Sequence, residues 1–252
     1  MSRERVKIRK AEEANALLDL TALEPNRRFD PRDFTFAVAT RGAYLARIAG
    51  LFRRESGRFE RPELEVEALA RHLDTTDAVA IALGADSQLF GVSREEIHPF
   101  ARTLRLPILW LDYCVDARQI QTARNSGADA VVVSAGMMGA PHLRRLVDEA
   151  RAVGMAVVLE SRDEADVVRA ATVPHALHGL GDLSGEVADY PPDRIAALAA
   201  ELPKGTVKLA LTGVRGEQDL TDLRGVVDAA VIGRPWLSSP EPTEAADLWF
   251  KG

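Results

Sequence analysis

Residues 106–135 read LPILWLDYCVDARQIQTARNSGADAVVVSA, and their pattern decides the fold class. Leu106–Leu111 is a short apolar run opened by Leu-Pro. Asp112, Asp116 and Arg118 follow where the run ends. Gln119–Ser126 has helical character, and Gly127 stops it. Ala130–Val133 is the next buried strand. Two parallel strands need such a crossover, which is right-handed almost without exception.

The unit repeats outward in both directions. Apolar runs of strand length stand at Phe34–Ala39, Ala78–Leu83, Leu106–Leu111, Val131–Val133, Ala156–Leu159, Ala176–Leu180, Lys208–Leu211 and Ala229–Ile232. Helical spacing recurs between them, as in Pro141–Val153, where Leu143, Leu146, Val147 and Ala150 share a face. Ala43–Arg61 is the least regular part and reads as a long loop with a short helix in AYLARIAGLF. Eight alternating units in 252 residues predict an α/β fold, a (β/α)8 TIM barrel. An open doubly wound sheet usually carries a Gly-rich phosphate turn after its first strand, and Ala39-Thr40-Arg41-Gly42 has no such motif. The chain is read as one domain over 1–252, with 1–30 as an N-terminal helical extension that Pro25 closes.

Composition narrows the partners. A net charge of −6 argues against general nucleic-acid binding. The single Cys114 excludes an intramolecular disulfide and any multi-cysteine metal site. The start MSRERVKIRK lacks an apolar core for a secretory signal, and no apolar run approaches the ~20 residues of a membrane span. The expectation is a cytoplasmic protein without membrane contact.

Barrel sites form at the C-terminal ends of the strands. The expected ends place Arg41, Asp86, Asp112, Glu160, Arg162 and Asp182 there, followed by Thr212, Arg215 and Arg234. Thr212-Gly213 and Gly233-Arg234 form the more specific pair. Many barrels hold phosphate at strands 7 and 8 on backbone N–H groups, which glycine lets the ligand approach. Arginine adds charge-assisted bonds. The plainer reading is that both glycines only shape tight turns. Glu160 closes an apolar strand, so low-dielectric walls should raise its pKa and suit it as a general base. The plainer reading is an ion pair with Arg162 or a neighbouring arginine. His175 and His178 lie three apart near strand 6, and a core or loop role suits them better than metal ligation.

These motifs resemble the indole-3-glycerol phosphate synthase family. The family's Leu-Pro-x-Leu-x-Lys-Asp-Phe strand reads LPILWLDY here. Its valine-aspartate pair is Val115-Asp116, its Gln-Ile-x-x-Ala-Arg helix is Gln119–Arg124, and its turn is Gly127-Ala128-Asp129-Ala130. Val158-Leu159-Glu160, Thr212-Gly213-Val214 and Val231-Ile232-Gly233 match more weakly. The resemblance implies a lyase of tryptophan biosynthesis that closes an indole ring on a carboxyphenylamino-deoxyribulose phosphate, with loss of carbon dioxide and water and without metal or organic cofactor. It also implies a strand 3 lysine as general acid and a strand 5 glutamate as base. The lysine falls on Leu111 and the glutamate on Glu160. The strand 1 Glu-x-Lys falls on Val38-Ala39-Thr40, and the strand 7 Glu-Ser-Gly on Leu211-Thr212-Gly213. All five lysines lie in the N-terminal helix, at the entry to strand 7 or at the C-terminus, so none is expected to substitute.

The expected function is therefore a diverged family member that binds a small phosphorylated anion. Glu160 and Asp112 are the acid/base candidates, and Thr212, Gly213, Gly233 and Arg234 form the anion site. Arg41, Leu111, Arg162, Asp182 and Arg215 line the pocket. The alternatives are a pseudoenzyme with a structural or regulatory role and a protein partner, and an active synthase with rewired catalytic groups.

Overall fold

A computed structural model describes residues 2–17, 32–39, 44–55, 58–186 and 190–251. Eight parallel strands close into a barrel in chain order: β1 (Ala46–Leu51), β2 (Ala80–Gly84), β3 (Ile108–Tyr113), β4 (Ala130–Ser134), β5 (Ala156–Ser161), β6 (Leu177–Leu180), β7 (Lys208–Ala210) and β8 (Ala229–Ile232). β1 closes the ring by pairing with β2 on one side, Ile48 opposite Ala80, and with β8 on the other, Ala46 opposite Ala229. A short antiparallel ribbon, Arg54–Glu55 against Phe59–Glu60, follows β1. No described helix is long and apolar enough to cross a membrane.

The helices are α1 (Arg3–Ala16), α2 (Phe34–Val38), α3 (Val66–Leu73), α4 (Arg94–Ala101), α5 (Ala117–Ser126), α6 (Ala140–Ala152), α7 (Glu164–Ala171), α8 (Pro192–Ala200), α9 (Glu217–Leu223), α10 (Arg234–Leu237) and α11 (Pro242–Phe250). The β3–α5–β4 unit follows from its own residues. Asp116 caps α5, and Gln119 returns the bond in a capping box. Gly127 ends α5 in the left-handed region at φ 108°, where a side chain would be strained. Asp129 is buried and accepts from the Ile108 N–H at 2.9 Å and the Arg32 Nε at 2.7 Å. It ties the start of β3 to the segment leading into α2.

The first strand differs from the expectation. Phe34–Val38 is a helix, started by the Asp33 carboxylate accepting the Phe36 N–H at 2.8 Å. The barrel strand is Ala46–Leu51, inside the stretch read as a loop with a short helix. A short apolar run does not separate helix from strand by period alone, and here pairing on both edges decided. Arg41 therefore precedes β1 instead of following it, and it lies outside the described residues. The first strand ends at Leu51, so the strand end expected at Val38-Ala39-Thr40 is not one, because Phe34–Val38 is helical. The extension holds its helix over Arg3–Ala16, and its remaining expected turns lie outside the described residues.

Candidate active site

Strand alternation divides the end of β3. Leu111 lines a pocket at the barrel mouth, and the Tyr113 hydroxyl reaches Glu160 on β5. Asp112, between them, turns to the other side and meets Lys10 of α1. It stands outside the mouth that it was expected to serve.

Glu160 is fully buried. Its Oε1 accepts from the Tyr113 hydroxyl at 2.5 Å and from the Leu183 N–H at 2.9 Å. Its Oε2 faces Arg3 Nη2 at 3.2 Å, and Arg3 Nη1 reaches Asp166 at 2.5 Å. Burial raises the Glu160 pKa, and although the Arg3 charge opposes this, it stays above the ordinary carboxylate range. Burial and the Glu160 charge push the Tyr113 phenol well above its ordinary value, which keeps it a donor. The ion-pair expectation for Glu160 holds with a different partner, because Arg162 pairs with Glu186 at 2.6 Å.

A second charged cluster lies beside the first. The Lys10 ammonium sits among Asp86, after β2, Asp112 and Glu13. Arg9 adds a bond to Asp86 at 2.7 Å. Burial raises Asp112 to about 6 against the pull of Lys10, with Asp86 adding repulsion. Asp86 is also buried, but Lys10 and Arg9 outweigh that effect and hold it at about 2. The N-terminal helix crosses the strand ends and brings Lys10 to Asp112, the residue after Leu111 in the chain.

Apolar side chains line part of the mouth, beside Arg58, Asp182, Arg215 and Arg234. Phe52, Phe90, Leu111, Leu211 and Val231 surround a space of about 60 Å³, well below the roughly 300–1,000 Å³ of small-molecule sites. Glycines opposite these side chains explain the fit. A Cβ at Gly179 would overlap Leu211 and stand 2.7 Å from Val158 Cγ1. A Cβ at Gly233 would stand 2.6 Å from the Phe52 ring, and one at Gly50 3.0 Å from Val231 Cγ1. Glycine stands against each of these large side chains, so a larger residue at Gly50, Gly179 or Gly233 would have no room.

The rim carries the remaining candidates. Asp182, Thr212, Gly213, Gly233, Arg215 and Arg234 all border this pocket. Thr212 Oγ1 accepts the Asp182 N–H at 3.3 Å, and Asp182 accepts from Ser184 Oγ at 2.5 Å. Gly213 has φ 103°, and a Cβ there would overlap the Tyr190 carbonyl, so its turn requires glycine regardless of any ligand. Arg234 is half-buried and, among the described residues, pairs with no carboxylate. His178 is buried with its pKa lowered to about 4 by burial and the nearby Lys208, in keeping with a core role.

Sequence reasoning missed Arg3, Lys10 and Phe52. Arg3, Val6, Lys10 and Ala14 recur at helical spacing, and that stripe was the available signal. Cations on a buried face run against the ordinary preference, so spacing alone does not mark them as buried.

A closed barrel of eight parallel strands alternating with helices defines the (β/α)8 class. The indole-3-glycerol phosphate synthase family model matches residues 1–247, and the chain belongs to that family. It is 28% identical over 226 residues to the indole-3-glycerol phosphate synthase of Parafrankia sp. (strain EAN1pec), covering 88% of this chain and 84% of that protein. It is 29% identical over 216 residues to the synthase of that name from Koribacter versatilis (strain Ellin345), covering 84% and 83%. Among solved structures, orotidine 5'-phosphate decarboxylase from Pyrococcus horikoshii OT3 superposes with a TM-score of 0.56 at 15% identity, over 80% of this chain and 96% of that one, a likeness of fold alone.

Proposed function

We propose that this chain binds a small phosphorylated anion at the ends of β7 and β8, and that it does not run the lysine-dependent ring closure expected of its family. The observation that carries the reading is Leu111. It occupies the position of the proton-donating lysine and packs into the apolar part of the mouth with Phe52 and Leu211. Leucine cannot donate a proton, and Lys10 lies on the opposite side of β3 with three carboxylates around it. Arg234 supports the anion site, with Thr212 and the backbone at Gly213 and Gly233 beside it.

Two measurements test this. Incubation with the carboxyphenylamino-deoxyribulose phosphate substrate, followed by indole fluorescence, should give no product above a protein-free control. Turnover that Glu160→Gln abolishes would overturn the non-cyclising reading and favour an active synthase, for which the retained Glu160 is the supporting feature. Thermal unfolding with inorganic phosphate and phosphorylated sugars should show stabilisation that grows with ligand concentration. Absence of any shift sinks the anion site.

A further inference from the structure

The opposite end of the barrel carries a second cavity, far larger than the one at the mouth. It lies where β1, β2 and β3 begin, beside α2, α9 and the last turn of α11, and holds about 900 Å³. That volume falls within the roughly 300–1,000 Å³ of small-molecule sites. Its wall is apolar and partly aromatic, with Phe36, Tyr44, Val79, Leu220, Leu248 and Trp249 contributing. Tyr44 is 83% exposed, Leu248 80% and Phe36 61%, so three of the five exposed large apolar side chains among the described residues border this one hollow. Scattered exposed apolar residues need no account, but a cluster of them around a concave space marks a binding surface.

The charges at this hollow are matched, with one exception. Arg47 pairs with Glu217 at 3.3 Å and donates to the Trp249 carbonyl at 2.7 Å. Lys251 pairs with Asp247 at 2.8 Å, and Asp77 has a partner as well. Arg224, exposed just after α9, lines the hollow and among the described residues makes no side-chain hydrogen bond or ion pair. The uncompensated charge is therefore positive. An arginine fork beside an apolar wall recognises a carboxylate or sulfonate whose remaining body is apolar. A ring suits that body, because rings meet aromatic walls in offset-stacked or edge-to-face contact.

We propose that this hollow at the foot of the barrel binds a small organic acid with an aromatic body, its ring on the apolar wall and its acid group on Arg224. The strand 7 and 8 rim lies at the other end of the barrel and shares no residue with it. Failure of the phosphate site would leave this one standing.

Titration of the full chain with 8-anilinonaphthalene-1-sulfonate, an aromatic body with a single sulfonate, tests it through the dye's fluorescence. Binding should saturate at one dye per chain and withstand excess inorganic phosphate. Arg224→Gln should weaken it about tenfold, the loss of one charge-assisted interaction, while Arg145→Gln on α6 leaves it unchanged. Leu248→Glu, at an exposed position, sets a carboxylate on the wall and should weaken it at least as much. N-phenyl-1-naphthylamine, which lacks the sulfonate, should bind the parent about tenfold more weakly. The site is overturned if the parent shows no saturable dye binding, if phosphate displaces the dye, or if the neutral dye binds as tightly, results that need no variant to fold. It is also overturned if Arg224→Gln leaves the affinity unchanged. Sedimentation equilibrium should find the parent monomeric, and a dimer that Leu248→Glu dissociates would show that a second copy covers the hollow in place of a ligand.

Discussion

The Arg3 guanidinium stands 3.2 Å from Glu160 and 2.5 Å from Asp166, so the third residue of the chain closes a carboxylate on the fifth barrel strand. The contact joins positions 157 residues apart. It makes the N-terminal helix part of the site. It also keeps Glu160 in a hydrogen-bonded setting, because a fully buried carboxylate without a cation would be costly.

Removing that cation should weaken the fold. Arg3→Ala is expected to lose about 3 kcal/mol, the lower end of the cost of unpairing a buried charge, because Glu160 is left buried without its cation. Adding Glu160→Gln should recover part of the loss, since the amide still accepts from Tyr113 and Leu183. Urea unfolding of the parent and both variants measures this. A single variant as stable as the parent would show that Arg3 does not pair with a buried carboxylate.

The apolar part of the mouth can be tested through its small-to-large pairing. Gly179→Ala should destabilise by about 1–3 kcal/mol, because its Cβ overlaps Leu211 and crowds Val158. In combination with Leu211→Ala the two losses should not add, with a coupling of about 0.5–3 kcal/mol. Additive losses in a double-mutant cycle would mean that the two residues do not share the space.

Acid should first strengthen and then weaken the protein. Burial lifts Asp112 from 3.8 to about 6, so folding takes up a proton and stability grows as pH falls through 6. Glu160 and Asp129, raised by burial, act with the same sign. Asp86 is held at about 2, so its contribution is present above 3.8 and is lost as pH falls from there. For Asp112 alone the gain between pH 7 and pH 5 is roughly 1 kcal/mol. Asp112→Asn should flatten that segment of a urea-stability profile, and an unchanged slope would place the proton elsewhere.

Arg234 is the rim cation whose removal should matter to the anion. Arg234→Ala is expected to weaken phosphate binding about tenfold, the loss of one charge-assisted interaction of about 1.4 kcal/mol. Arg71→Ala, on the exposed face of α3, should leave it unchanged. Isothermal titration with inorganic phosphate reads both, and equal effects of the two changes would reduce Arg234 to general electrostatics.

Much of the barrel was legible because its signals are local. Gly127 after a helix, Asp116 three residues before Gln119, and apolar runs at regular spacing each mark an element through neighbours in the chain. Glu160 could be placed for the same reason, at the end of an apolar run. The first strand escaped because Phe34–Val38 and Ala46–Leu51 are both short apolar segments, and only pairing with β2 and β8 separates them. Phe52 escaped with it, since its role follows from where β1 ends.

The linear pattern alone determined the eight-unit α/β plan and carried the resemblance to the family, which places its expected proton donor at Leu111. The plan follows from periodicity, and the resemblance from motifs of neighbouring residues. Tertiary structure decided what surrounds that leucine. It set Phe52 against Gly233 and Leu211 against Gly179, and it brought Arg3 and Lys10 to carboxylates far along the chain. Such partners cannot be read from spacing, because a buried charge finds its counter-charge through the closed barrel and not through its neighbours in sequence.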